Sequence, residues 1–474
     1  MRLSKILNLI LYVSVFLFSI YPYSDYDWGW HYRYGEYLLK TGSLLKSDIF
    51  SWTLPDYQWI NHSWLYDPLM YIIFKLGGFT GAMIVGALIS FLVFYLSTKF
   101  FNLQLWQKAL MALFFITITQ IVMLQSLRSQ VLVLLFYPIL TLLLIFSKKN
   151  TKFLFFLPLL FLIWANFHGT FTIGLLVAAL FIGTAFLIDY EKEKKNFFIY
   201  SGIFLVTFIA TLITPYGNST YFEAFKHLSS PWTKNVFEWM PFFVFVKNSA
   251  RYYFVFYLIL LTSFFIYRRK LTDLPFAVAL SVLTLLTINS NRYAGPFIAT
   301  SLPVLGLFLH ETKIPLEKFK VVNLILATAL IVSLEIGWQR VTDFNWLKFS
   351  FNDYCRYSTR CSEKMSRYLF DNPPRGKGLN FYDWGGYLIG RGIPVKLFID
   401  GRMHLWEKDG YMPFADFIKM YYEQDYELFR KYNFDWLLLR TDSPLVQDLK
   451  TPNILLGTWE KVFSDGEAVY FIKK

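Results

Sequence analysis

Charge is scarce in this 474-residue chain. Asp, Glu, Lys and Arg make up 17% of it and hydrophobic residues 55%, for a mean hydropathy of +0.39. A soluble protein of this size carries about a quarter charged residues, so the composition excludes an ordinary water-soluble fold for most of the chain. Cysteine is nearly absent. Cys355 and Cys361 are the only two, and neither has a second pair or a His at ligand spacing, so no metal pattern is present. The chain also lacks a Gly-x-Gly-x-x-Gly or P-loop spacing, which leaves a nucleotide-sugar or ATP site without support. Acidic residues are outnumbered 33 to 46, giving a net charge of +13. The basic residues fall in short loops between apolar runs rather than along one face, the pattern of the positive-inside rule and not of a nucleic-acid binder.

What is present is a series of apolar runs, each long enough to cross a bilayer. They cover residues 6–22, 81–98, 109–125, 131–147, 153–167, 171–188, 197–213, 252–267, 274–289, 294–309 and 321–337. The first follows Arg2 and Lys5 but is too long for a signal-peptide core and lacks an Ala-x-Ala-like exit, so it reads as an uncleaved transmembrane helix. Residues 63–78 are ambiguous: the stretch is apolar but short, and Asp67, Pro68 and Lys75 interrupt it. With that stretch lying outside the bilayer, Lys99, Lys108, Lys148, Lys149, Lys152, Lys192, Lys194, Lys195, Arg268, Arg269, Lys270, Lys313, Lys318 and Lys320 join Arg2 and Lys5 on the cytoplasmic side. The expectation is a polytopic α-helical membrane protein with about eleven spans, N-terminus inside and C-terminus outside.

The apolar runs end near Gly337. The division expected is a transmembrane domain over 1–338, with a first extracytoplasmic loop at 23–78 carrying juxtamembrane helices, and a small extracytoplasmic α/β domain over 339–474. In the latter, residues 415–432 have a helical pattern, and 395–399 (VKLFI), 435–439 (DWLLL) and 468–472 (AVYFI) read as strands. Cys355 and Cys361 then lie on the oxidising side, either as a local disulfide or as two free thiols.

The chemistry-bearing residues gather after the first span, in "SDYDWGWHYRYGEY". Asp27 and His31 are four apart and share a face if a helix begins there. Asp27 reads either as a general base oriented by His31 or as the cap of that helix. Asp25 points elsewhere at this spacing. The same topology puts His62, Arg128, His168, Tyr216, Glu238 and Arg292 at extracytoplasmic span ends or loops, where ionisable groups mark functional sites.

The segments "DYDWGWHYRYGEYLLKTG", "SDIFSWT", "WINHSWL", "WANFHGTF", "TPYG", "FEWMP", "YDWGGYLI" and "FIDGRMHLW" resemble the layout of the GT-C membrane glycosyltransferases. The likeness is to the protein O-mannosyltransferases and the aminoarabinose and Rgt-type lipid A glycosyltransferases, and to a large group of bacterial membrane proteins grouped with them. It runs along nearly the whole chain. It implies transfer of a sugar from a polyprenyl-phosphate carrier to a glycolipid, glycan or protein at the outer face of the cytoplasmic membrane. The partners implied are the polyprenyl-phosphate-linked donor, the lipid or glycan acceptor and the bilayer; no cofactor or metal is assigned. The resemblance makes Asp27 the catalytic base, with Asp25 and His31 beside it. Arg128 and Arg292 suit the leaving phosphate, because guanidinium forks match its oxygens, and His168 is a further donor contact. His62, Glu238, Asp383 and Arg402 are placed on the acceptor side, Asp383 and Arg402 with Asp400 alternatively holding the C-terminal domain together. "NHSWL" at residues 61–65 stands where the lipid A and mannosyl enzymes carry a Lys-Pro-Pro-Leu type sequence, so neither donor nor acceptor identity carries over. The alternative reading is a non-catalytic membrane scaffold that binds glycan or lipid on the same architecture.

Overall fold

The computed structural model describes residues 2–121, 126–188, 190–246, 249–312, 314–449 and 456–474. Lys313 and the last four residues of the expected span 109–125 lie outside the described residues. The chain forms two compact units. Unit 1 comprises Met1–Tyr21, Ala82–Ala224 and Phe237–Trp346, and unit 2 comprises Pro22–Gly81, Phe225–Val236 and Leu347–Lys474. The sequence expectation grouped residues 23–78 with the helices that follow; in the structure they cluster with the C-terminal chain.

Unit 1 is helical, and within the described residues a helix lies over each expected span. By length and composition, six helices among the described residues can cross a membrane, and four shorter apolar helices accompany them. Pro158 and Pro275 stand in the first turns of Leu157–Phe167 and Leu274–Asn289, where a missing N–H breaks no bond. Burial sorts the helices. Ala294–Glu311 is enclosed, with Leu302, Val304 and Leu305 at 0% exposure, whereas Lys320–Asp343 turns Val321, Leu324 and Ile325 outward at 62–68%. Such an apolar stripe is a liability in water and costs nothing against lipid tails.

The ends of these helices carry different charges. At one end Arg268 binds Asp273 (2.7 Å) and Glu311 (2.6 Å), Lys270 reaches Glu311 (2.7 Å), and Lys148 stands 3.6 Å from Asp273. Arg128 and Arg292 precede the helices whose far ends carry Lys148 and Glu311. Arg128 and Arg292 thus lie at the opposite ends of these helices from Lys148 and Glu311.

In unit 2 a four-stranded sheet has the order β1-β2-β4-β3, with β1 Gly378–Asn380, β2 Trp436–Arg440, β3 Trp459–Ser464 and β4 Ala468–Lys473. The β1–β2 pair is parallel, and both pairs to β4 are antiparallel. Two expected strands become β2 and β4. Residues 395–399 instead contribute one isolated bridge, Ser51 to Leu397, because the chain there turns after five residues toward the first loop. The expected helix 415–432 is two helices, Pro413–Tyr421 and Tyr426–Tyr432, broken where Gln424 takes φ 60°. Cys355 and Cys361 form a disulfide.

Two glycine features set the geometry around the first loop. Gly78 has φ 55° and ψ −147°, a conformation open to glycine alone, and it breaks the helix Tyr66–Lys99 close to where unit 2 gives way to unit 1. Helix Trp28–Thr41 crosses helix Gly385–Arg391 backbone to backbone. A Cβ on Gly29 would lie 1.9 Å from the Gly386 carbonyl oxygen and 2.7 Å from the Gly390 Cα.

Asn289 and Lys270 are exposed residues near opposite ends of the helix Leu274–Asn289. Cysteines introduced singly at these positions should react with a membrane-impermeant maleimide from opposite sides, one in intact cells and the other only after permeabilisation. Labelling of both from one side would exclude a crossing by this helix.

Candidate functional site

Two clusters of ionisable residues stand out, one in each unit. In unit 2, Asp27 occupies the N-cap position of helix Trp28–Thr41 but makes no side-chain capping bond. Its Oδ1 accepts instead from the Trp30 indole N–H at 3.1 Å. The carboxylate is half-buried and lies against Gly401, where a Cβ would approach Oδ1 to 2.1 Å. Gly401 thus leaves room for the carboxylate that any other residue would fill. Asp25 is 1% exposed; its Oδ1 accepts from the Asp27 N–H at 3.2 Å, and its own carbonyl accepts from the Tyr354 hydroxyl at 2.9 Å. Asp25 holds the chain, and Asp27 faces outward from it.

His31 departs from expectation. Its Nδ1 pairs with Asp67 Oδ1 at 2.6 Å, and Asp67 Oδ2 accepts from Asn61 Nδ2 at 2.5 Å. The ring lies under Trp30 and against Tyr66. The helical spacing did put Asp27 and His31 on adjacent turns, but Asp67, the acid that interrupts the apolar run 63–78, captures the imidazole. His62 belongs to a file that sequence reasoning missed. Its ring centroid is 6.2 Å from that of His227, which is 5.1 Å from that of His404, whose Nδ1 lies 3.1 Å from the Gly401 carbonyl oxygen. These histidines are separated by more than 160 residues, and no local pattern joins them.

Arg402 is wholly buried. Its Nη2 donates to Asp48 (2.8 Å) and Asp400 (2.6 Å), Nε to Asp400 (2.8 Å) and Nη1 to the Tyr34 hydroxyl (2.9 Å). The guanidinium lies 4.9–5.7 Å from the ring centroids of Tyr34, Phe50, Trp59 and Trp406. Burial alone would raise the Asp48 carboxyl, but Arg402 and the hydrogen bonds from Ser51 and Phe50 bring it below its usual range. A guanidinium so enclosed has no face for an acceptor, so the alternative of holding the domain together fits the geometry. Asp383 is half-buried; burial pushes its carboxyl up to about 6, with Arg440 opposing the shift.

In unit 1, Arg128 and Arg292 meet around one carboxylate. Glu238, expected on the acceptor side, pairs through Oε1 with Arg128 Nη1 and through Oε2 with Arg292 Nη1 at 3.0 Å, with Gln130 Nε2 at 3.4 Å. The Arg292 guanidinium lies 4.8 Å from the Trp239 ring centroid. A bond from the Asn291 N–H to the Met240 carbonyl (2.9 Å) ties the two loops together. Burial would raise the Glu238 carboxyl, but Arg128 and Arg292 outweigh it and lower it to about 2. The three side chains are each 18–19% exposed, so the cluster opens to its surroundings. His168 is buried, and its Nδ1 accepts from the Thr170 N–H at 3.1 Å. Among the described residues no three His, Cys, Asp or Glu side chains are arranged to hold a metal ion.

The fold is similar to the oligosaccharyltransferase of Archaeoglobus fulgidus in its apo form, with a TM-score of 0.54, and to the same archaeal enzyme, AglB, in complex with an inhibitory peptide and a dolichol-phosphate, with a TM-score of 0.55. In both comparisons identity is 11%, and the match covers 92% of this chain and 69% of the other. No family model and no curated relative matches the sequence. This likeness fits a polytopic membrane protein and speaks for the fold alone.

Replacing Arg402 by Met leaves Asp48 and Asp400 buried without their cation, a loss of about 3–5 kcal/mol. The variant should accumulate poorly, and its C-terminal chain should be cut by trypsin under conditions that spare the wild type. Asp383→Asn should act in the opposite direction. The folded pKa of Asp383 is raised, so its stabilising contribution is present below about pH 4 and lost as pH rises through about 6. The variant should melt a few degrees above wild type at pH 7.5, and the gap should close by pH 4.

Proposed function

We propose that this protein is a glycosyltransferase of the cytoplasmic membrane that moves a sugar from a polyprenyl-phosphate carrier to a glycolipid, glycan or protein acceptor. The N-terminus is cytoplasmic, and the first loop and C-terminal chain are extracytoplasmic. The observation that carries the reading is the convergence of Arg128 and Arg292 within a GT-C fold. Two guanidinium groups around one small anion are the arrangement a lipid-linked phosphate requires. AglB in complex with a dolichol-phosphate supports this by analogy of fold.

Asp27 takes the proton from the acceptor hydroxyl as its oxygen attacks the anomeric carbon. The bond from that carbon to the phosphate oxygen breaks, the configuration inverts, and the electron pair leaves on the carrier phosphate. Asp27 suits the task because its side chain makes no capping bond and Gly401 accommodates its carboxylate. His31 and Asp67 fix the helix that carries it. The lipid-facing helices hold the carrier's tail in the same solvent as the bundle.

A screen of polyprenyl-phosphate sugars for transfer tests the whole reading. With an active donor in hand, Asp27→Asn should lower turnover about 10²–10⁴-fold with melting unchanged. Asp25→Asn should be milder, because its remaining oxygen still accepts from the Asp27 N–H. Arg128→Lys and Arg292→Lys should raise the donor KM, since charge is kept and fork geometry lost. Donor binding without turnover in wild type would favour the scaffold reading. Full activity of Asp27→Asn would remove it as the base.

A further inference from the structure

We propose that Glu238 is a built-in competitor for the carrier phosphate: a carboxylate that occupies the Arg128–Arg292 site when it is empty and displaces the spent carrier after transfer. The inference rests on the reading of those two arginines as the phosphate site.

The geometry is that of a substitute anion. Each Glu238 oxygen engages a different guanidinium, Oε1 with Arg128 and Oε2 with Arg292, as two non-bridging oxygens of a phosphate would. Trp239 holds the Arg292 guanidinium by its ring, 4.8 Å from the centroid, and the Asn291–Met240 backbone bond anchors the loop. Arg292 therefore keeps its place when the carboxylate leaves. Glu238 sits in the three-residue turn Phe237–Trp239, and its side chain is 19% exposed, which gives it a way out.

Charge explains why a competitor is useful. Two arginines with Glu238 bound carry a net +1, and without it +2. The donor is a phosphodiester with one negative charge. The product is a phosphomonoester with a charge of about −1.5 to −2 at neutral pH. A bare pair of arginines would thus hold product more tightly than donor, and turnover would stop at the product complex. A carboxylate that returns to the arginines weakens the site for both and lets the product go.

The experiment uses the full-length protein in lipid nanodiscs, with a polyprenyl monophosphate as probe, inorganic phosphate as a second arm and the neutral polyprenol as a third. Glu238→Gln should bind the monophosphate at least tenfold more tightly, or about 1.4 kcal/mol. Inorganic phosphate should show a similar fold-gain at lower affinity, and polyprenol none. A gain for the lipid arm alone identifies the carrier as the ligand. An equal gain at equal affinity in both phosphate arms identifies a free phosphate site and overturns the proposal. Glu238→Asp, too short to reach both guanidinium groups, should fall between and serves as the variant that preserves the local charge. If Arg128→Ala and Arg292→Ala reduce affinity while Glu238→Gln leaves it unchanged or weaker, the phosphate site stands and the competitor does not. If neither arginine variant alters affinity, the site assignment itself fails.

Discussion

Unit 2 depends on one buried cation. Arg402 draws together Tyr34 from the first juxtamembrane helix, Asp48 from the loop after it, and Asp400 two residues before itself, inside a wall of four aromatic rings. Removing three charges from water costs several kcal/mol per ion, and only complete pairing offsets it. The arrangement is therefore all or none. It also fixes the neighbouring geometry: Gly401, next to the cation in sequence, borders Asp27, and the Gly29–Gly390 crossing sets how closely the helix bearing Trp30 can lie. Asp27 thus packs beside a residue whose neighbour in sequence is the buried cation.

Unit 1 solves a different problem, in which apolar side chains face outward and ion pairs gather at helix ends. One end is tied by Arg268, Lys270, Asp273 and Glu311, the other by Arg128, Glu238 and Arg292. The first group is anchored by salt bridges that leave no empty site. The second is partly open and built around a single carboxylate shared between two cations.

The helices were legible in the sequence because a bilayer demands runs of one composition, and the runs have sharp ends. β2 and β4 were legible for a similar reason, being short apolar runs bounded by turn residues. β1, three residues long, and β3, half exposed, carry no such signal. The sequence named candidate residues singly and not their partners: His31 pairs with Asp67, and Glu238 with Arg128 and Arg292. Helical spacing describes neighbours on one element, whereas these partners are 36, 54 and 110 residues distant. The histidine file through His227 and His404 escaped for the same reason. Gly386 and Gly401 each allow a close approach, to the Tyr26 carbonyl and the Asp27 carboxylate.

The Arg402 cluster also bears on how the protein is made. Asp48 and Arg402 are separated by 354 residues, so at about 5–20 residues per second the first loop waits roughly 20–70 s for its cation. Throughout that interval Asp48 and a patch of tryptophans stand assembled on neither side of a finished core, while the intervening helices enter the bilayer. The first loop therefore reaches its final packing only after residue 402 has been made.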